Sequence, residues 1–338
     1  MLTERDNFLM TLRGECPEWV PSYSIDFIPG TLRPPASLVF FPPVIGEYRN
    51  KGGGKNVWGV NFIPTYETGG AVLPEPGNFI LEDITKWRDI IKAPDISNID
   101  WEKVSKDHLA SAPIDRNETA ICYTLTVGFF QDLMAMMGFN EGLMAMFEYP
   151  EEVEELFDYI CSFYEKVAEN CIDYYKPDVL TLMDDTAAWA NPFISDDMYR
   201  ELVLPFHDRI AKFGRDRGLP ISMHNCGKCG TLVDDWMSIG INMWDPAQTC
   251  NDLVGIKKKY GNSLVLAGGW DARDHLLSDK VTDEEIYESV RKTFDDLAPG
   301  GGFMWLGGFL GPIDDEEIIR KNQVVSRAVY ELGNIAYK

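Results

Sequence analysis

From about residue 118 onward, short apolar runs of β type alternate with longer stretches of helical period, and this alternation restricts the fold more than any other feature. The runs are 120–126, 179–183, 220–223, 241–244, 263–267 and 302–306, with an earlier one at 20–26. Between two of them, Val153, Leu156, Ile160, Phe163, Val167, Cys171 and Tyr174 recur three or four apart over 151–175, the spacing of one helix face. That spacing puts Cys161 and Cys171 on a packed helix, as core residues. Ser195, ahead of DDMYRELVLPFHDRIAKFG, reads as a helix N-cap. Strands separated by helices this regularly imply a parallel sheet with covering helices. Counting the early run gives seven strands, and one more within 36–63 completes a (β/α)8 barrel. A doubly wound open sheet is the alternative, but no Gly-rich dinucleotide fingerprint follows the first strand.

Residues 27–117 break the pattern. They are rich in Pro and Gly and carry Phe40, Phe41, Tyr48, Trp58, Phe62 and Tyr66, which read as exposed aromatics. The fold expected is therefore α/β, a TIM barrel forming a single domain over 1–338. Its 27–117 stretch is expected to be an irregular, lid-like insertion over the barrel mouth.

Composition narrows the partners. The 338 residues hold 31 Lys and Arg against 54 Asp and Glu, a formal charge of −23 that repels nucleic acid and anionic membrane surfaces. No apolar run approaches the roughly 18 residues of a membrane span, and MLTERDNFLMTLRGE has charges where a signal peptide is apolar. The seven cysteines show no disulfide-framework spacing, so a reducing, cytoplasmic setting is expected.

In a (β/α)8 barrel, chemistry collects where strands end. Just past the strands lie Thr124 and Thr126, Asp184 and Asp185, His224 with Asn225 and Cys226, Asp245 with Gln248, the run Gly268, Gly269, Trp270 and Asp271, and Gly307 with Gly308. In HNCGKC, His224 and Cys226 stand at i and i+2 of an extended strand, so both point to one side and suit zinc. Cys229, Asp245 and Cys250 are candidates for a further ligand, although Cys229 equally well begins the next helix. A redox Cys-x-x-Cys pair, or plain packing of the His and Cys, are the competing readings. Asp184 and Asp185 suit acid–base work, with Asp184 expected to face the barrel and the other to be structural.

Several stretches together resemble the uroporphyrinogen decarboxylase superfamily. These are LTERDNFLMTLRGECPEWVP, VWGVNF, LEDITKW with IKAPD, LMDDTAAWANPFISDDMYRELVLPFHDRI, ISMHNCG, IGINMWDPAQTCNDLVGIKKKYG, LAGGWD and GGFMWLGGF, in order along nearly the whole chain. The resemblance implies a (β/α)8 barrel with its site at the C-terminal mouth. Members that decarboxylate uroporphyrinogen carry an arginine motif for substrate carboxylates, whereas this chain reads DFIPGTLRPPAS after its first strand. The other branch comprises methyltransferases that work with corrinoid proteins and bind zinc through a His-x-Cys pair and a later Cys. His224 and Cys226 match the pair, but 302–311 has no Cys and Phe309 stands near the expected place. By this resemblance the chain is a corrinoid-dependent methyltransferase acting on a small methylated donor such as an aryl methyl ether or methylamine. Zinc and a corrinoid (cobalamin) are then its cofactors, a corrinoid protein its partner, and a homodimer its assembly. Asp184 and Asp185 are the catalytic candidates, Gly268, Gly269, Trp270 and Asp271 the cofactor-binding ones, and His224, Cys226, Cys229 and Asp245 the metal ligands. A decarboxylase-like lyase acting on a tetrapyrrole or small acid is the alternative function, and a non-catalytic corrinoid or tetrapyrrole carrier is a second.

Overall fold

The computed structural model describes residues 2–23, 32–65, 71–112, 114–125, 128–312 and 314–337. Among these residues the strands are β1 (Ser37–Phe40), β2 (Gly54–Lys55), β3 (Asn61–Pro64), β4 (Val72–Pro74), β5 (Ala120–Leu125), β6 (Val179–Met183), β7 (Ile221–His224), β8 (Met243–Ala247), β9 (Val265–Gly268) and β10 (Phe303–Met304). One sheet runs β1-β5-β6-β7-β8-β9-β10, and every pairing in it is parallel. Beside β10, Ser22 bridges to Trp305 in the parallel sense, with Tyr23 N–H donating to the Trp305 carbonyl and Trp305 N–H to that of Pro21. This segment is the eighth stave of a (β/α)8 barrel. The early run at 20–26 thus lies where a barrel needs it, although 24–26 fall outside the described residues. The extra strand expected within 36–63 is β1.

Period-2 alternation sorts the side chains. Ala120 and Cys122 on β5, Val179 on β6, Met243 on β8 and Met304 on β10 point inward and pack with Tyr23. Their neighbours Ile121, Tyr123, Leu180 and Phe303 join the larger core under the helices. Phe8 and Leu12, from the helix Glu4–Leu12, seal the floor of the barrel. That helix starts where the Thr3 hydroxyl accepts the Asp6 N–H. The interior is therefore filled at the bottom, and a cavity within the barrel lies towards the mouth.

The helix Pro150–Tyr175 buries Val153, Leu156, Ile160, Cys161, Phe163, Val167 and Cys171, so both cysteines are core residues, while Tyr174 turns out to solvent. Ser195 caps a helix by accepting the Met198 N–H. The single helix expected after it is two, Asp196–Leu202 and Leu204–Asp216, parted at Val203 because Pro205 has no N–H to continue the ladder.

The 27–117 stretch holds β1, the helices Pro43–Asn50, Trp87–Ile90 and Trp101–Ala110, and the antiparallel sheet β2-β3-β4. The expectation of exposed aromatics is corrected here: Phe40, Tyr48, Trp58 and Phe62 are all buried. Trp58 reaches from this region to the barrel helices, where its Nε1 donates to Asp132 and to the Tyr164 hydroxyl, both at 3.1 Å. Tyr66 lies outside the described residues. Among the described residues no helix is long and apolar enough to cross a membrane.

Candidate functional site at the barrel mouth

Past the ends of β6 and β7 the parallel ladder continues by two bonds, Asp184 N–H to the His224 carbonyl and Asn225 N–H to that of Asp245 in β8. This extension brings polar residues from three strands side by side. His224 Nδ1 lies 2.6 Å from Asp245 Oδ1. A carboxylate can only accept, so Nδ1–H donates and Nε2 is the nitrogen left facing the mouth. The other Asp245 oxygen accepts the Ser222 hydroxyl at 2.7 Å. Fully buried and committed on both oxygens, Asp245 orients the imidazole.

Nε2 of His224 and Sγ of Cys226 are 3.8 Å apart. Tetrahedral Zn–N and Zn–S bonds would place such atoms about 3.6 Å apart, so the pair has the right bite. A carboxylate oxygen of Asp185 completes a group in which the donor atoms lie within 4.8 Å of one another. Its two oxygens accept the Cys226 N–H at 2.8 Å and the Gln131 side-chain amide at 3.1 Å, which fixes the carboxylate without exhausting its lone pairs. One His, one Cys and one carboxylate make a three-ligand set that leaves a fourth position open, and this set fits zinc.

The two aspartates exchange the roles expected of them. Asp184 is fully buried and turned away from the metal-type group; it accepts the backbone N–H groups of Phe130 and Gln131 at the start of the helix Phe129–Met137. His207 Nε2 stands 3.2 Å from it, and His207 Nδ1 contacts the Tyr199 hydroxyl at 2.9 Å. Burial pushes the Asp184 carboxyl upward, and His207 with the two N–H groups works against that shift. Asp185 is the one that faces His224 and Cys226.

Burial alone would depress the His224 imidazole, yet Asp245 and Cys226 outweigh it and hold its pKa well above the usual value. Burial raises the Cys226 thiol, with His224 opposing. A cation placed between them would favour the deprotonated forms of both.

Cys229 does not join the group. Its Sγ is buried against the carbonyls of Asn225, Cys226 and Gly227, and burial raises its thiol far up. Cys250 is partly exposed and takes a contact from the Asn251 amide. The run after β9 is occupied with packing. Gly268, at φ +139, has no room for a Cβ, which would sit 2.8 Å from the Ala247 backbone. Gly269 lies against Leu297, and Asp271 accepts from the Thr249 N–H and hydroxyl. Trp270 is buried, donates to the Ser289 hydroxyl and packs on Trp305 and Phe309. Phe309 therefore fills an aromatic cluster at the place where a later Cys was expected. Thr126 lies outside the described residues.

Sequence reasoning placed Asn225 among the polar residues past the strand ends but gave it no role. Its side chain exchanges hydrogen bonds with the Thr186 N–H and hydroxyl, and its carbonyl takes the buried Trp244 indole N–H. It thereby clamps the peptide between the two strongest donors. No spacing rule marks it, because its partners come from other strands.

Residues 116–306, more than half of the chain, match the uroporphyrinogen decarboxylase (URO-D) family. Over 122 residues, 35% of this chain, the sequence is 30% identical to a methylated-thiol–coenzyme M methyltransferase of Methanosarcina mazei, and the match spans 30% of that relative's length. The fold is similar to that of a methyltransferase from Methanosarcina mazei, with a TM-score of 0.63 over 98% of this chain and 100% of that one, at 14% identity. The chain belongs to the uroporphyrinogen decarboxylase family and, within that superfamily, resembles its methyltransferase-like branch.

Proposed function

We propose that the chain is a methyltransferase that moves a methyl group between a small methylated donor and a corrinoid cofactor or corrinoid protein. Asp185, His224 and Cys226 would hold a zinc ion. The observation that carries this reading is the convergence of imidazole, thiol and carboxylate donors within 4.8 Å at the mouth of a barrel of this family. The partial likeness to a methyltransferase supports the same class.

The chemical need is clear. A methyl group on oxygen, nitrogen or sulfur is a poor electrophile because the heteroatom leaves reluctantly. In the transfer the carbon–heteroatom bond would break with its electron pair left on the heteroatom, and the methyl group would pass to a reduced corrinoid as co-substrate. The heteroatom then takes a proton. Zinc bound here supplies Lewis acidity towards a heteroatom or a thiol. The chain's own residues prepare that position: Asp245 fixes the His224 tautomer, and the Cys226 N–H with Gln131 fixes Asp185. Burial of Asp184 under the Phe129–Met137 helix anchors the turn that presents its neighbour.

Elemental analysis of the purified protein should find close to one zinc per chain, and His224→Ala and Cys226→Ala should each lose it. Asp245→Asn, acting through His224, should weaken the metal by roughly 10- to 100-fold. Incubation with cob(I)alamin and a panel of methanol, methylamines, dimethyl sulfide and methoxyaromatics should give the spectral change of cobalt methylation with at least one donor. A protein that takes up no metal on reconstitution, or that methylates cobalt from no donor while releasing carbon dioxide from a carboxylated tetrapyrrole, contradicts the proposal.

A further inference from the structure

Deeper in the mouth than the three donors, a cavity of about 40 Å3 is lined by Tyr23, Val39, Phe41, Thr124, Thr181, Met183 and His224. Thr124 and Thr181 are register partners on β5 and β6, so their side chains stand next to each other on the inner face. Thr124 is 2% exposed and Thr181 1% exposed, and neither hydroxyl has a hydrogen-bond partner among the described residues, although the Tyr23 phenol lies beside Thr181. Two adjacent buried hydroxyls, one without a partner and the other with only the Tyr23 phenol close by, are unusual, because each has given up water for little in return. Valine would fill the same space at no such cost. Hydroxyls here make sense as groups kept for something that enters the cavity.

We propose that Thr124 and Thr181 form the recognition end of a small-molecule subsite that takes the methylated end of the donor, with its heteroatom against the two hydroxyls. As to which molecule enters, this rests on the methyl-transfer reading above. The volume admits two or three water-sized groups, enough for methanol, methylamine or a terminal methyl thioether and too little for an aromatic ring. No Lys or Arg lines the cavity, and the buried Asp245 stands directly behind His224. With no lysine or arginine to pair a full negative charge and two uncharged hydroxyls at its end, the subsite favours uncharged ends over carboxylates and sulfonates. A threonine hydroxyl both donates and accepts, so the pair can serve an ether, alcohol, amine or sulfide heteroatom.

The test uses ligand-observed NMR on the whole protein, with methanol and methylamine as probes and acetate and tert-butanol as comparators. Wild type should bind a probe and neither comparator. Thr124→Val and Thr181→Val should each weaken the probe about 3- to 10-fold, the worth of one hydrogen bond. Thr124→Ser and Thr181→Ser, which keep the hydroxyl, should stay near wild type and so separate its loss from a packing defect. In the methylation assay the valine variants should raise KM for the small donor with kcat little changed. Wild type that binds neither probe, or a double valine variant that binds or turns over the donor like wild type, overturns the subsite. Threonine-dependent probe binding without any methyl transfer would instead leave the subsite standing and overturn the methyltransferase reading.

Discussion

Asp132 has donors on one oxygen and little water: Tyr164 gives it a hydroxyl at 2.7 Å and Trp58 an indole N–H at 3.1 Å. Burial pushes its carboxyl up to about 7, with the charge of Asp184 adding to the rise and the Tyr164 and Trp58 hydrogen bonds opposing it. A folded-state pKa above the unfolded one means that the folded protein holds the proton more tightly. The resulting stability is full below pH about 4, falls as pH rises towards 7, and is gone above it. Asp132→Asn should therefore be less pH-sensitive than wild type. Urea titrations at about pH 5 and pH 8 should show the variant losing less stability between them, and equal losses would contradict the assignment. At this scale the sequence was legible in part. The i, i+2 rule found His224 and Cys226 because a strand fixes side-chain direction. The choice of Asp184 over Asp185 was wrong, because the chain turns just beyond β6 and the Phe129–Met137 helix start captures the first of them. Asp132 carried no signal at all, since an acid in the first turn of a helix is ordinary.

The elements that matter most at the mouth are two loops locked to each other. Lys228 N–H donates to the Ala188 carbonyl, and Gly227 (φ +87) lies so close that a Cβ would stand 2.4 Å from the Ala187 oxygen. Gly227→Ala combines a left-handed backbone with a clash against a carbonyl, and strain of that kind costs about 1–3 kcal/mol. The variant should melt earlier than wild type and retain less metal, because the loop after β7 can no longer sit under the loop after β6. A melting curve and zinc content matching wild type would show that the contact is slack. Strand positions were readable because apolar runs of this length bounded by turns have few other uses. The 27–117 stretch was not, because its helices and small sheet are short and its aromatics bury against elements that lie far along the chain, as Trp58 does against Tyr164.

For the molecule as a whole, the charge of −23 is a distributed stress. Like charges across an acidic surface repel most strongly in the compact state, and salt screens them within about 10 Å at 0.1 M. The melting temperature should climb by several degrees between about 0.01 and 0.15 M sodium chloride, and a flat response would mean that local ion pairs such as Arg209 with Glu165 already neutralise the surface. The barrel itself was legible because its alternation repeats along the chain, whereas the closing contact was not, because it joins the two most distant staves. Ser22 meets Trp305 there, and nearly the whole barrel sequence lies between them. A nascent chain leaving the ribosome can therefore form helices and neighbouring strand pairs as they emerge, but the first stave waits, exposed, until the last has been made. Chaperone demand during synthesis should thus concentrate on the segment around Pro21 and Tyr23, whose partner arrives last.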